Sequence, residues 1–216
     1  MNRCAKPFGL LLAGLLLVGC SSAPKKDEAA DGPTDTPTVP DKGDPQARFD
    51  EAVTQLKRNN LPGAETALRE LEADFPEFSG PPTNLGLIYL RKEQFEQAVG
   101  AFSRASERNP ENAVAQNGLG RAYRELGQYD RAEKAYERAL LLNPNYAEAQ
   151  FNLGILLDRY LQRPQLALAA YERYLTLTDA EELRVQAWIA DLRERLQAAE
   201  APAADPAAAV TVEQTP

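Results

Sequence analysis

Residues 79–112 read SGPPTNLGLIYLRKEQFEQAVGAFSRASERNPEN, and residues 113–146 read AVAQNGLGRAYRELGQYDRAEKAYERALLLNPNY. Placed one under the other, they repeat position for position. Leu85 falls over Leu119, Gly86 over Gly120, Tyr89 over Tyr123, Ala98 over Ala132, Phe102 over Tyr136 and Pro110 over Pro144, each 34 residues apart. The register continues outward: Ala52, Ala64, Leu68 and Pro76 keep the step before it, and Leu153 and Gly154 keep it after. A fixed period of this length marks a stack of repeated units, each burying its apolar face only against its neighbours. The proline in every period ends a helix, because it has no N–H and disfavours helical backbone just before it. No strand pattern is evident, so the predicted class is all-α.

These residues at this spacing resemble the tetratricopeptide repeat, over about residues 45–178 and most specifically in the two stretches quoted. The resemblance implies a superhelical solenoid of helix pairs with repeats at 45–78, 79–112, 113–146 and 147–178. Gly or Ala in the middle of each first helix admits the second helix, whose early Ala receives the contact. The bulky residue at Phe102 or Tyr136 fills space between neighbouring repeats. Gly127, in Leu126-Gly127-Gln128-Tyr129, is predicted to cap the first helix of its pair.

The outer repeats depart from the pattern. The first has Gln55 where the tyrosine belongs, with Pro62-Gly63 expected as its turn. The last has Leu157 at that position and one extra residue near Arg163-Pro164, which shifts Ala167 and Tyr171 into the packing places. Residues 179–198 read as a capping helix. Thr178 or Asp179 is expected at its N-cap and Glu181 and Glu182 in its first turn. Val185, Trp188, Ile189, Leu192 and Leu196 form one apolar stripe that would cover the last repeat. A partner-binding helix is the alternative reading of that stripe.

The N-terminus carries a different signal. Arg3 and Lys6 precede Phe8–Val18, an apolar run of eleven residues, where a membrane-spanning helix needs roughly 20. This pattern fits a secretory signal peptide over 1–19. Leu17-Val18-Gly19-Cys20 resembles the lipobox of bacterial lipoproteins, which implies cleavage before Cys20 and fatty acylation (palmitate-type chains) of that residue. A thiolate is the nucleophile that takes the lipid, and two or more acyl chains anchor stably where one is marginal. Ser21, under the same family's sorting rules, permits export to the outer membrane. The alternative is a simple secretory peptide cut near Ser22-Ala23.

Residues 20–44 hold the lipidated cysteine and a linker of proline, small and charged residues, too poor in apolar area to offset the entropy of ordering. Its coil dimension is roughly 25 to 30 Å and its extended reach about 80 Å. Residues 199–216, rich in Ala and Pro, are expected to be a disordered tail.

Composition narrows function. The chain has no histidine, and its only cysteines are Cys4 and Cys20. The common general base, the common metal ligand and thiolate chemistry are therefore absent from the repeat region. A net charge of −8 argues against nucleic-acid binding. No glycine-rich phosphate loop follows a strand, and no nucleophile sits with a base. The expectation is no enzyme, no catalytic residue, no cofactor and no metal.

In the tetratricopeptide family the first helix of each repeat lines a concave groove. The resemblance places Phe49, Val53, Asn84, Leu87, Arg91, Asn117, Arg121, Arg124, Phe151, Asn152, Ile155 and Arg159 there. Asn84 and Asn152 would meet an extended peptide backbone, and the arginines would meet carboxylates; the plainer alternative is solvated helix arginines, with Arg121 paired to Glu125 and Asp158 beside Arg159. Thr83, Leu87 and Gly118 stand at three places of the family's carboxylate clamp, which argues against that clamp. The resulting expectation is a lipid-anchored periplasmic adaptor for proteins or extended peptides of the cell envelope. It resembles tetratricopeptide lipoproteins of pilus and secretin assembly, and equally those of peptidoglycan machinery. The alternatives are a groove carrying a small molecule or lipid, or a carboxylate-based hydrolase.

Overall fold

The chain separates into two units, Met1–Pro40 and Asp41–Pro216. The computed structural model describes residues 42–178 and 182–200. The leader, Cys20, Ser21, the tail from 201, Asp179 and Glu181 lie outside the described residues.

Among the described residues there are nine helices and no strand: α1 (Pro45–Lys57), α2 (Leu61–Asp74), α3 (Gly80–Arg91), α4 (Phe95–Arg108), α5 (Ala113–Glu125), α6 (Tyr129–Leu142), α7 (Ala147–Arg159), α8 (Pro164–Leu177) and α9 (Leu183–Glu200). Local chemistry sets their ends. Asp44, Asn60 and Asn112 accept N-cap bonds from the backbone N–H groups of Ala47, Gly63 and Ala115. Pro45, Pro62, Pro81 and Pro164 sit in first turns, where no N–H is needed. Within each pair the first helix closes on one residue in the left-handed region: Asn59, Glu93, Gly127 and Gln162. At Gly127 the Gln128 N–H then reaches back to the Tyr123 carbonyl at 2.8 Å, a Schellman closure. The fourth turn comes one residue late, as the extra residue near Arg163 requires.

Two expectations about ends are corrected. Pro62-Gly63 is not the turn of the first repeat but the first turn of α2, because Asn60 caps that helix. Thr178 does not cap α9; its hydroxyl donates to the Tyr174 carbonyl at 3.0 Å and closes α8 instead. Helix α9 begins at Leu183, so Glu182 precedes it and accepts from the Tyr174 hydroxyl at 2.8 Å.

The repeated residues are the core. Ala64, Ala98, Ala132 and Ala167 are fully buried, as are Leu68, Phe102, Tyr136 and Tyr171. The glycines face those rings: a Cβ on Gly86 would lie 2.6 Å from Phe102, on Gly120 2.5 Å from Tyr136, and on Gly154 2.6 Å from Tyr171. Gly118, in the following repeat, approaches Phe102 from the other side and leaves still less room. Each ring therefore sits where a helix lacks a side chain, and Phe102 joins two repeats.

Ion pairs staple neighbouring repeats at their edges. Glu65 binds Lys92, Glu72 binds Arg104 and Arg108, Glu133 binds Arg163, and Glu172 binds Arg193. Helix α9 caps the stack: Val185, Ile189 and Leu192 are buried against α7 and α8 with Leu157, Ala167 and Tyr171.

Candidate protein-binding groove

The backbones of the first helices approach one another in order, α1 to α3, α3 to α5 and α5 to α7, whereas those of the second helices α2, α4, α6 and α8 stay further apart. The first helices are thus the inner row, and their free faces line the groove.

At the N-terminal end, Val53, Leu56, Asn84, Leu87, Ile88 and Arg91 wall an open cleft of about 210 Å³. Its floor is apolar because Val53, Leu56 and Leu87 are only half covered by the core. Arg91 is exposed at its rim and has no ion-pair partner among the described residues. Phe49 packs edge-on against Phe78 at 5.1 Å and does not line this cleft. Asn84 donates to the Gly80 carbonyl of its own helix at 3.0 Å.

The middle of the row is occupied by internal bonds. Asn117 and Asn152 do not face a ligand as expected; both are buried, 3% and 6% exposed. Asn152 Nδ2 donates to Asn117 Oδ1 at 3.0 Å, and Asn117 Nδ2 donates to the Tyr146 hydroxyl at 3.3 Å. They are inter-repeat ties, so neither presents its amide to a partner. Arg121 pairs with Glu148 of the next repeat at 3.3 Å rather than with Glu125. Arg124 binds Glu125 at 2.9 Å and is largely buried, its Nη1 without a hydrogen-bond partner among the described residues. The buried hydroxyls of Tyr136 and Tyr171 also lack one there.

At the C-terminal end Phe151 is half covered, stacked on Trp188 at 6.0 Å and 5.1 Å from Tyr174. Ile155 is likewise half-buried. Asp158 pairs with Arg195 of α9 at 2.8 Å, not with its neighbour Arg159. Arg159 is exposed and lies over the Trp188 ring at 5.3 Å. Trp188, read from sequence as part of a cap with a partner-binding helix as the alternative, and Arg184, which the sequence reading did not single out, therefore lie at the groove's edge. Lys57, one helical turn beyond Val53, was also missed, although that spacing points to it. Glu148 carries no such signal, since only the stacking of repeats brings it to Arg121. Among the described residues no cluster of acidic, cysteine or histidine side chains has the geometry of a metal site, and no helix is long and apolar enough to cross a membrane.

Stacked helix pairs with an open inner face define a helical-repeat solenoid. Residues 89–159 match the family model described as "Tetratricopeptide repeat". Solved structures with the same fold include TTC0263, a thermophilic tetratricopeptide protein of Thermus thermophilus (27% identity, 70% of this chain and 82% of that one, TM-score 0.59). PilF of Pseudomonas aeruginosa is similar at 21% identity over 71% of this chain and 69% of its own, TM-score 0.64. The first tetratricopeptide domain of Spaghetti (RPAP3), solved with the HSP90 peptide SRMEEVD, is similar at 22% identity over 55% and 93%, TM-score 0.52. No curated protein sequence matches the chain.

Proposed function

We propose that this chain is a non-enzymatic scaffold of the bacterial envelope, held by lipid on Cys20 at the periplasmic face of the outer membrane, which binds partner proteins along the inner face of its repeats. The observation that carries the binding half is the set of incompletely covered side chains at the two ends of the inner row, Val53, Leu87 and Arg91 at one end and Arg159 at the other. An apolar floor with unpaired cations at the rim suits a peptide or protein surface. The neighbour solved with a bound peptide supports the same use of the fold. The likeness to PilF favours a pilus-related partner over peptidoglycan machinery. The open cleft of about 210 Å³ is smaller and less enclosed than the ~300–1,000 Å³ of ordinary small-molecule sites, which disfavours the carrier alternative.

The anchoring half rests on Leu17-Val18-Gly19-Cys20 after the apolar run. Metabolic labelling with an alkynyl fatty acid tests it. The native chain is expected to take up label and Cys20→Ala to take up none; continued labelling of that variant overturns the lipid anchor. Affinity capture of the native chain from crosslinked cells names the partner. Recovery of envelope assembly proteins is expected, and recovery of none but cytoplasmic proteins contradicts the placement.

A further inference from the structure

Trp188 is held by four groups at once, one of them the Tyr171 ring at 5.6 Å between centroids. Phe151 stacks on it at 6.0 Å with planes 17° apart. The guanidinium carbons of Arg159, from α7, and Arg184, from α9, lie 5.3 and 5.6 Å from its ring centre. Both arginines are exposed, and neither has a carboxylate partner among the described residues. Arg91, Arg131 and Arg138 likewise lack an acidic partner among the described residues. What distinguishes Arg159 and Arg184 is that both lie over one ring with no carboxylate between them, whereas Lys42 and Arg48 over Phe75 share Asp74 and the nearby Asp158 is engaged by Arg195. Two like charges on one indole, in a chain of net charge −8, concentrate positive potential at one end of the inner row. Stacking on the ring also restricts both side chains, so less freedom is lost when an anion binds.

We infer that Arg159, Arg184 and Trp188 form a docking site for the side-chain carboxylates of an acidic segment of a partner protein. The capping helix then contributes to recognition as well as closing the stack. The inference rests on the groove reading above and adds the chemistry of the partner at the groove's C-terminal end. Planar guanidinium groups match carboxylates with paired hydrogen bonds, and the indole beneath them receives the aliphatic stem.

Trp188 is the only tryptophan of the chain, so its fluorescence reports on this site alone. The probe is a nonapeptide alternating glutamate with glycine and serine, acetylated and amidated so that side chains supply its only carboxylates. Its glutamine counterpart is the control. Titrated into the full chain, the glutamate peptide is expected to shift Trp188 emission saturably, and the glutamine peptide is not. The double variant Arg159→Gln/Arg184→Gln is expected to bind about tenfold more weakly, with affinity of the native chain falling as salt rises. Lys134→Gln/Arg138→Gln, with the same charge loss on α6, is expected to bind as the native chain does. Equal response to both peptides, or equal binding by both double variants, overturns the proposal. The full-chain variant Asp205→Asn/Glu213→Gln tests the chain's own tail as the occupant. A change in its resting Trp188 emission assigns the site to that tail and overturns the partner reading. If the peptide result fails while a photo-crosslinker at Arg91 still captures a partner, only the acidic-segment inference falls; if both fail, the groove reading falls with it.

Discussion

Asn152 donates its side-chain amide to the Asn117 carbonyl oxygen at 3.0 Å, and both residues are buried between adjacent repeats. The sequence placed both asparagines toward a ligand; here the amides are consumed in holding α5 to α7, with Tyr146 as the third member. Replacing Asn152 with Ala leaves Asn117 buried and short of a partner. The cost expected is about 1 to 3 kcal/mol, read as a lower denaturation midpoint in urea with an unchanged slope. Native stability in that variant would mean the amides are solvated and available to a ligand after all.

Gly120 is set by the ring opposite it. A Cβ there would come within 2.5 Å of Tyr136, which is fully buried and has nowhere to move. Gly120→Leu should therefore cost about 1 to 3 kcal/mol or more through overpacking. Thermal melting followed by circular dichroism measures it, and an unaltered melting temperature would mean that α5 and α6 do not meet at this point.

The Tyr136 hydroxyl is buried without a hydrogen-bond partner among the described residues, and burial pushes its pKa far up. The equivalent place in the preceding repeat holds Phe102. Tyr136→Phe removes an unsatisfied polar atom and keeps the ring, so stability is expected to stay level or rise by about 1 kcal/mol. A loss above that size in calorimetry would show the hydroxyl to be bonded in solution.

Glu72 links α2 to α4 through Arg104 and Arg108, each at 2.9 Å. Burial alone raises its pKa, but the two arginines outweigh it and hold the carboxyl below its ordinary value of 4.5. Glu65 is lowered too, chiefly by the hydrogen bond from Lys92. A lowered folded-state pKa gives stability that is present above the unfolded value and lost as pH falls through the folded one. Glu72→Gln is expected to lower stability at pH 7 by about 1 to 3 kcal/mol. The gap from the native chain should narrow as pH drops below 4.5, where the native Glu72 takes up its proton. A gap constant from pH 7 to pH 3 would contradict the ion-pair account.

What was legible in the sequence is what the stacking repeats. Ala98 and Ala132, Phe102 and Tyr136, and Gly86 and Gly120 hold the same places in successive units, so their period alone revealed the helix pairs. The groove was legible as a list of positions, but their availability was not. Whether Asn152 faces a ligand or Asn117 depends on how α7 leans on α5, and Arg121 finds Glu148 only across a repeat boundary. Arg184 and Trp188 join the edge because the packing of α9 sets Trp188 on Phe151. The turn at Asn59 was missed because Pro62-Gly63 is a stronger local turn signal than an asparagine that adopts left-handed backbone.

The central claim is that the inner face of the repeats, and not the outer one, holds the partner. Arg91 on α3 and Lys134 and Arg138 on α6 are all exposed and have no ion-pair partner among the described residues, so each accepts a photo-reactive p-benzoylphenylalanine at little cost to the fold. The measurement is irradiation of cells carrying each variant of the full chain, after melting curves have shown the three to be equally folded. The account predicts a discrete crosslinked partner from position 91 and none from positions 134 and 138. The same adduct from all three, or adducts only from 134 and 138, would contradict it.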